Sequence, residues 1–279
     1  MRIKLFGALA MACLVAAQPA DSQPAPAASE LTYADLADLA LAAPVVAHLR
    51  VRDADRLDPE LAPNVPLGHR RFLVEAEVVA LIRGSGGIEG RVSYLVDLPN
   101  DSRGRPAQLR RRAEVLVLAA RVPNRPAELR LVAADAQLPF TAANAERLRT
   151  ILREASAADA PARITGIGRA FHVPGNLPGE SETQFFLQTA DDRPISLSVL
   201  RRPDQEPRWA VALSEMVDEA AAPPAPDTLL WYRLACALPA RLPPEVLREA
   251  DPNQARAIQA DYRLVIDGLG PCRRTRAAR

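Results

Sequence analysis

The chain has 279 residues, of which 35 are Lys or Arg and 34 are Asp or Glu, so its formal net charge is +1. This balance excludes the strongly basic composition of proteins that bind polyanions indiscriminately. The length exceeds what one small core needs, and two packed units are therefore expected. Lys4 is the one lysine of the chain, so nearly every cation is an arginine, which is typical of a GC-rich genome.

The N-terminus has the three-part layout of a secretory signal peptide. Arg2 and Lys4 precede an apolar run that ends in small residues suited to cleavage near Ala17. This run is shorter than the about 20 apolar residues of a membrane-spanning helix, and no later segment is long and apolar enough either. Residues 18–28 are rich in Pro and Ala and are expected to form a disordered tether. We therefore expect an exported bacterial protein, periplasmic or secreted, with a signal peptide over residues 1–17 and no transmembrane segment after cleavage.

Two cysteines remain after the predicted cleavage, Cys236 and Cys272. An even number of cysteines in an oxidising compartment indicates one disulfide. The bond would close a loop of about 37 residues and contribute about 3 to 4 kcal/mol in the chain-entropy model. The alternative is a pair of buried free thiols, since cysteine is also a common small core residue.

Residues 29–158 carry the pattern of a small β-domain between two helices. The clearest strand spans residues 71–82, where Phe72, Val74 and Ala76 alternate with side chains of the opposite face, the period of a half-buried strand. The predicted elements are a helix that begins after Ser29 or Thr32 and ends at Pro44, strands over 45–51, 71–82, 91–98, 114–122 and 128–133, and a helix over 141–155.

Five short strands flanked by helices, over roughly residues 30–155, resemble the small five-stranded barrels of the OB and netrin-like type found in exported proteins. The resemblance implies a closed N-terminal barrel. The cysteines that link animal netrin-like domains are absent here, and no motif transfers a function from either family. Inhibition of a secreted enzyme is the function that this resemblance suggests.

Residues 159–222 are predicted to form a four-stranded antiparallel β-unit, and residues 223–279 a helical hairpin that packs on it. Asp227 and Asp251 suit helix N-caps, with Pro252 at a first helical position. The predicted disulfide would staple this hairpin. The predicted elements are strands over 163–173, 183–189, 194–200 and 208–217 and helices over 229–238 and from 252 to near Gly268. The whole chain is thus placed in a mainly β (α+β) class.

Signatures of catalysis, metal binding and nucleotide binding are missing from the sequence. The histidines at 48, 69 and 172 lack ligands at close spacing, and His48, within an apolar strand, is interpreted as a hydrogen-bonded structural residue. There is no GxSxG or SxxK motif, and the glycines at 84–90 have the spacing of a hairpin connection instead of a phosphate loop. We therefore predict no catalytic residue, metal ion or cofactor.

Arginines cluster at two places in the sequence, before the fourth predicted strand and at the C-terminus. Such patches can bind phosphate or carboxylate polymers, but a solvated loop and a frayed tail are the favoured interpretation. Aromatic residues are not interleaved with the arginines, so no nucleic-acid partner is expected. The clusters consist of Arg103, Arg105, Arg110, Arg111 and Arg112, and of Arg273, Arg274, Arg276 and Arg279, and the candidate binding residues among them are Arg110, Arg111 and Arg112.

The segment from Phe171 to Glu182 joins two predicted strands by a loop that is longer than a hairpin needs. His172 lies at its root, and Glu180 and Glu182 lie at its far side. The functional hypothesis is that these three residues form a polar recognition surface for a partner. The alternative is a rigid structural loop, because its two Pro-Gly pairs also build turns.

These features predict a non-catalytic binding or scaffold module whose partner is a periplasmic protein or an envelope polymer. The alternative is a hydrolase of cell-envelope material that uses carboxylates as acid and base. A concave pocket with converging polar groups would favour the hydrolase, and an exposed apolar or single-sign patch would favour the binding module. The carboxylates considered for hydrolysis are Asp97, Asp101, Glu180 and Glu182.

Overall fold

The computed structural model describes residues 31–101, 103–105, 108–213 and 221–276. The predicted signal peptide and tether lie outside these residues. Four α-helices and ten strands are found in the described part. The helices are α1 Tyr33–Ala42, α2 Ala142–Ser156, α3 Leu229–Ala235 and α4 Pro252–Leu269, with short 3-10 helices at Pro59–Leu61 and Pro244–Leu247. The strands are β1 Val45–Arg56, β2 His69–Arg83, β3 Arg91–Pro99, β4 Glu114–Val122, β5 Arg125–Leu131, β6 Gln137–Pro139, β7 Ile164–Pro174, β8 Ser181–Thr189, β9 Ile195–Arg201 and β10 Arg208–Ala212.

The first five strands form a closed barrel in the order β1-β2-β3-β5-β4, with β4 paired back to β1. The parallel β3–β5 pairing joins Ser93 to Glu128 and Tyr94 to Leu129, and the short β6 pairs with residues 115–117 of β4. The alternating side chains of β2, such as Phe72 and Val74, point into the barrel core. The predicted N-terminal five-stranded barrel is thereby confirmed.

The last four strands form a separate antiparallel sheet in the order β10-β9-β8-β7. Helix α4 packs against β7 and β8. A second antiparallel sheet with C-terminal helices was predicted, and this part of the fold is confirmed as well. The strand predicted over 208–217 ends at Ala212 in the described part, and residues 214–220 lie outside it.

The helices, the second sheet and the outer side of the barrel share one apolar core. Leu36 of α1, Leu116 of β4, Phe185 of β8 and Val265 of α4 belong to the same cluster of buried side chains. Residues 31–279 accordingly form one compact unit. The predicted boundaries of units near residues 158 and 222 stay predictions.

The segment after α4 returns to the first helix of the described chain. The sulfur atoms of Cys236 and Cys272 lie 2.05 Å apart, the distance of the predicted disulfide. Arg274 donates to Asp38 at 2.6 Å, and Thr275 donates to Asp35 from its hydroxyl at 2.6 Å. This part of the C-terminal arginine cluster is therefore ion-paired and docked, in contrast to the predicted frayed tail.

Asp35 anchors this docking from inside the protein. Its carboxyl is fully buried on α1, where it also closes a capping box with Thr32. Burial raises the pKa of this carboxyl, but hydrogen bonds from Thr275, Arg276 and Thr32 outweigh that effect and lower the pKa to about 2.

Among the described residues, no helix is long and apolar enough to cross a membrane.

Candidate binding cleft at the β7 edge

Strand β7 forms one edge of the second sheet. Among the described strands it pairs with β8 alone, so half of its backbone N–H and C=O groups face away from the sheet. Across residues 168–173, no other described backbone or side-chain group donates to or accepts from these outward groups. An edge of this kind is a template for pairing with another strand.

A cleft of about 300 Å³ runs along this edge. Its opposite wall is formed by the 3-10 helix Pro244–Leu247 and by the first turns of α4. This volume is near the lower limit of typical ligand sites. Apolar side chains in the lining are Ala170, Phe171, Val246, Ala250 and Ile258, and polar ones are Arg169, His172, Glu245, Arg248, Glu249 and Gln254.

A chain of polar side chains begins at His172 and continues into the protein. Nδ1 of His172 lies 2.8 Å from the hydroxyl oxygen of Thr183, and this hydroxyl donates to the carboxylate of Asp261. Arg201 donates to the same carboxylate, with 2.7 Å between Nε and Oδ1. Thr183 is fully buried and Asp261 is 1% exposed. Buried polar groups of this kind need partners, and each of these has one.

The local sequence explains how the four residues meet. His172 and Thr183 are paired across β7 and β8, so their side chains point to the same face of the sheet. On α4, Ile258, Asp261 and Val265 occupy the buried stripe, spaced by three and four residues. Asp261 therefore occupies a core position of α4, and it tolerates burial because Arg201 faces it.

The structure separates the three residues predicted to form a recognition surface. His172 lines the cleft, whereas Glu182 alternates with Thr183 and points to the opposite face, where it accepts from Gln184 at 2.7 Å. Glu180 lies in the β7–β8 loop and accepts from the backbone N–H groups of Asn176 at 3.1 Å and Leu177 at 3.4 Å.

Arg110, Arg111 and Arg112 lie in the exposed turn before β4. Nε of Arg111 donates to the backbone oxygen of Arg52 at 2.8 Å. Arg112 adopts a positive φ of 66°, and its backbone N–H donates to Val51 at 2.8 Å. Two of these three arginines thus contribute contacts that hold the turn against the barrel.

The carboxylates considered for hydrolysis are each engaged by another group. Asp97 pairs with Arg71 at 2.7 Å on the barrel. Asp101, also on the barrel side, accepts from the backbone N–H groups of Arg105 and Arg103, and the first of these bonds contributes most to the lowered pKa of its carboxyl. Glu180 lies in the β7–β8 loop and Glu182 in β8, so the four carboxylates are divided between the barrel and the second sheet with its loop.

Arg201 and Asp261 were not singled out from the sequence, and neither was the open edge of β7. Asp261 did carry a detectable signal, because a charged residue interrupts the apolar stripe of the predicted last helix. Arg201 gave no such signal. His48 has the structural role predicted for it, since its Nε2 bonds Glu114 at 3.1 Å and its ring stacks on Phe140.

Comparison with known proteins leaves the cleft to be interpreted from its own geometry. No protein-family model matches the chain, and no curated protein matches it. Within the described ranges, no group of three His, Cys, Asp or Glu residues is arranged to hold a metal ion.

Proposed function

We propose that this protein is an exported binding module that captures an extended segment of a partner protein at the edge of β7. The bound segment adds to the second sheet as a fifth strand and lies in the cleft between β7 and the helical wall. The observation that supports this most directly is the unpaired backbone of β7, which faces a cleft instead of a covering strand. Strand addition is a recurring mode of peptide recognition, in which the main chain supplies affinity.

The dimensions of the cleft suit a short segment. Residues 168–172 line it, and five residues of an extended strand span about 15 to 17 Å. A bound segment of about five residues would therefore pair with the open edge. Alternate side chains of that segment would point toward the helical wall, where half-buried Ala250 provides an apolar contact.

The surroundings of the cleft also favour a protein partner. Phe171 is 44% exposed, and its ring packs edge-on against that of Phe186, with 5.9 Å between the centroids. The guanidinium of Arg169 lies 5.4 Å from the centre of the Phe171 ring. Exposed aromatic and arginine side chains are enriched at the energetic centres of protein interfaces.

Export is part of the proposal. It is supported by the signal-peptide layout of the N-terminus and by the Cys236–Cys272 disulfide, a bond that suits an oxidising compartment.

The test is selection of random linear 12-residue peptides, displayed on phage, against the folded and oxidised protein. We expect peptides that bind the native protein and that lose at least about tenfold in affinity when Ala250→Trp fills the cleft, a loss of about 1.4 kcal/mol. The control is Ala190→Trp, at an exposed position in the turn after β8 that does not line the cleft. Affinity is measured by isothermal titration calorimetry.

Amide hydrogen exchange then shows whether a selected peptide adds as a strand. Bound peptide should slow exchange at the outward N–H groups of residues 168–173, because these become hydrogen-bonded. Binding with unchanged exchange along β7, or with equal affinity for Ala250→Trp, would refute strand addition at this edge.

A further inference from the structure

We infer that His172 selects partner segments that bring a hydrogen-bond donor into the cleft, because the buried chain behind it fixes its ring with Nδ1 protonated and Nε2 free to accept. This inference rests on the proposed capture of a peptide at the β7 edge. It adds which kind of side chain, a hydrogen-bond donor, the cleft favours at one position of that peptide.

The donor and acceptor roles in the polar chain of His172, Thr183 and Asp261 are set at its buried end, by Asp261. Oδ1 of Asp261 accepts from Nε of Arg201 at 2.7 Å, and a terminal guanidinium nitrogen of Arg201 lies 2.6 Å from the same oxygen. A carboxylate paired with a guanidinium in this way is ionised and has only acceptor sites. The contact between its Oδ2 and Thr183 must therefore use the hydroxyl proton of Thr183.

The proton count fixes the next step. A threonine hydroxyl has one proton to donate, and Thr183 gives it to Asp261. Its oxygen can then only accept at the 2.8 Å contact with His172, so Nδ1 of His172 carries the hydrogen. The same Nδ1 lies 4.0 Å from Oδ2 of Asp261, on the side where its hydrogen points. In the neutral imidazole, which has a single N–H, Nε2 is then an acceptor.

Nε2 of His172 is available to a ligand. The ring makes one hydrogen bond among the described residues, through Nδ1, and the side chain lines the cleft. His48 shows the contrasting case, since its Nε2 is already engaged by Glu114. His172 alone of this pair can therefore offer its Nε2 to a ligand.

The acceptor at Nε2 distinguishes between partner side chains. Lysine, arginine, serine and threonine can donate to it, whereas a carboxylate would place its lone pairs against that of the ring. Glu245 and Glu249 line the same cleft together with Arg169 and Arg248, so the discrimination against an acidic side chain rests on Nε2 alone. An apolar side chain at this position leaves Nε2 desolvated and unpaired, which should lower affinity by roughly tenfold.

The first arm of the test needs no ligand. Long-range ¹H–¹⁵N correlation spectra of the ¹⁵N-labelled free protein at neutral pH should show Nδ1 of His172 protonated and Nε2 unprotonated. Thr183→Val, close to threonine in size, should release this preference, and Thr183→Ser should retain it. The signals of His48 should be the same in all three proteins. A wild-type spectrum with Nε2 protonated would overturn the inference. This measurement does not depend on the folding of any variant.

The second arm compares peptides selected on phage by the wild type and by His172→Leu. We expect Lys, Arg, Ser or Thr to be enriched at one position of the wild-type peptides and no such enrichment with His172→Leu. Enrichment of Asp or Glu, or the same enrichment in both selections, would overturn the inference while leaving peptide capture intact. Selection of no peptide by the wild type would overturn both, and the spectra would still show whether the ring is fixed as stated.

Discussion

The barrel and the second sheet differ in how they treat strand edges and buried charge. Each of the five barrel strands has a neighbour on both sides, and the side chains inside are apolar, such as Leu49 and Val74. The second sheet leaves β7 with a free edge and buries Thr183 and Asp261 behind it. The strands of the barrel are hydrogen-bonded to neighbours on both sides, whereas β7 of the second sheet keeps unpaired backbone N–H and C=O groups on one side. We therefore look for binding at the second sheet.

The largest expected effect comes from breaking the buried ion pair of the second sheet. Arg201→Leu should destabilise the protein by about 3 to 5 kcal/mol, because Asp261 would remain buried without its countercharge. Arg52→Leu on the barrel removes a longer and more exposed pair with Glu77, at 3.6 Å, and should cost about 0 to 1 kcal/mol. Urea unfolding followed by circular dichroism measures both.

The difference between the two regions would be refuted by equal losses from these two substitutions. A loss below about 1 kcal/mol for Arg201→Leu would mean that water or another group compensates Asp261. The role of the polar chain in fixing His172 would then need a different explanation.

A second prediction concerns Asp35, a buried carboxylate on α1 that is held by hydroxyl and backbone groups instead of by a guanidinium. Its pKa of about 2 in the folded protein is below its usual value of 3.8. Its contribution, about 2 kcal/mol, is therefore present above about pH 4 and is lost as the pH falls toward 2. Asp35→Asn should lower stability at pH 6 and make little difference at pH 2, in unfolding free energies measured by urea titration.

The wild type and Asp35→Asn must be compared at every pH, because other carboxyls of the protein also titrate in this range. The difference between the two proteins isolates Asp35. A difference that stays constant between pH 6 and pH 2 would contradict the lowered pKa and the docking of the C-terminal segment through this carboxyl.

Local patterns were sufficient to predict most elements and the disulfide. The alternation in β2 and the cap at Asp251 are properties of neighbouring residues. The cysteine pairing follows because two cysteines, an even number, remain in the predicted mature chain. The polar chain is a different matter, since Thr183 and Asp261 are 78 residues apart in sequence. Their meeting depends on how α4 packs on the sheet, which no local pattern specifies.

The same reason explains why the structure separates His172 from Glu182. The sequence placed His172 and Glu182 close together along the chain, but strand alternation sends Glu182 to the face opposite Thr183. The position of β7 at an edge depends on the order of all four strands. His172 therefore lines a cleft that the sequence did not predict, and the role of this residue in binding stays a prediction.

The smallest expected effect separates the β7–β8 loop from the cleft beside it. Glu180→Gln should cost about 1 kcal/mol of stability, because its carboxylate accepts from two backbone N–H groups and packs so closely on Gly175 that a Cβ there would overlap it. Peptide affinity should stay within about twofold, a change of about 0.4 kcal/mol, since Glu180 does not line the cleft. Thermal unfolding and calorimetry with a selected peptide measure the two effects.

Glu182→Gln is the matched control for this loop, because it removes the same charge from a side chain that points away from the cleft. It should change neither stability by more than about 0.5 kcal/mol nor peptide affinity. If either glutamine variant lost peptide binding while remaining folded, the recognition surface would extend over the loop to the outer face of the sheet. In that case the sequence-based grouping of His172, Glu180 and Glu182 would describe the partner's contacts better than the cleft does.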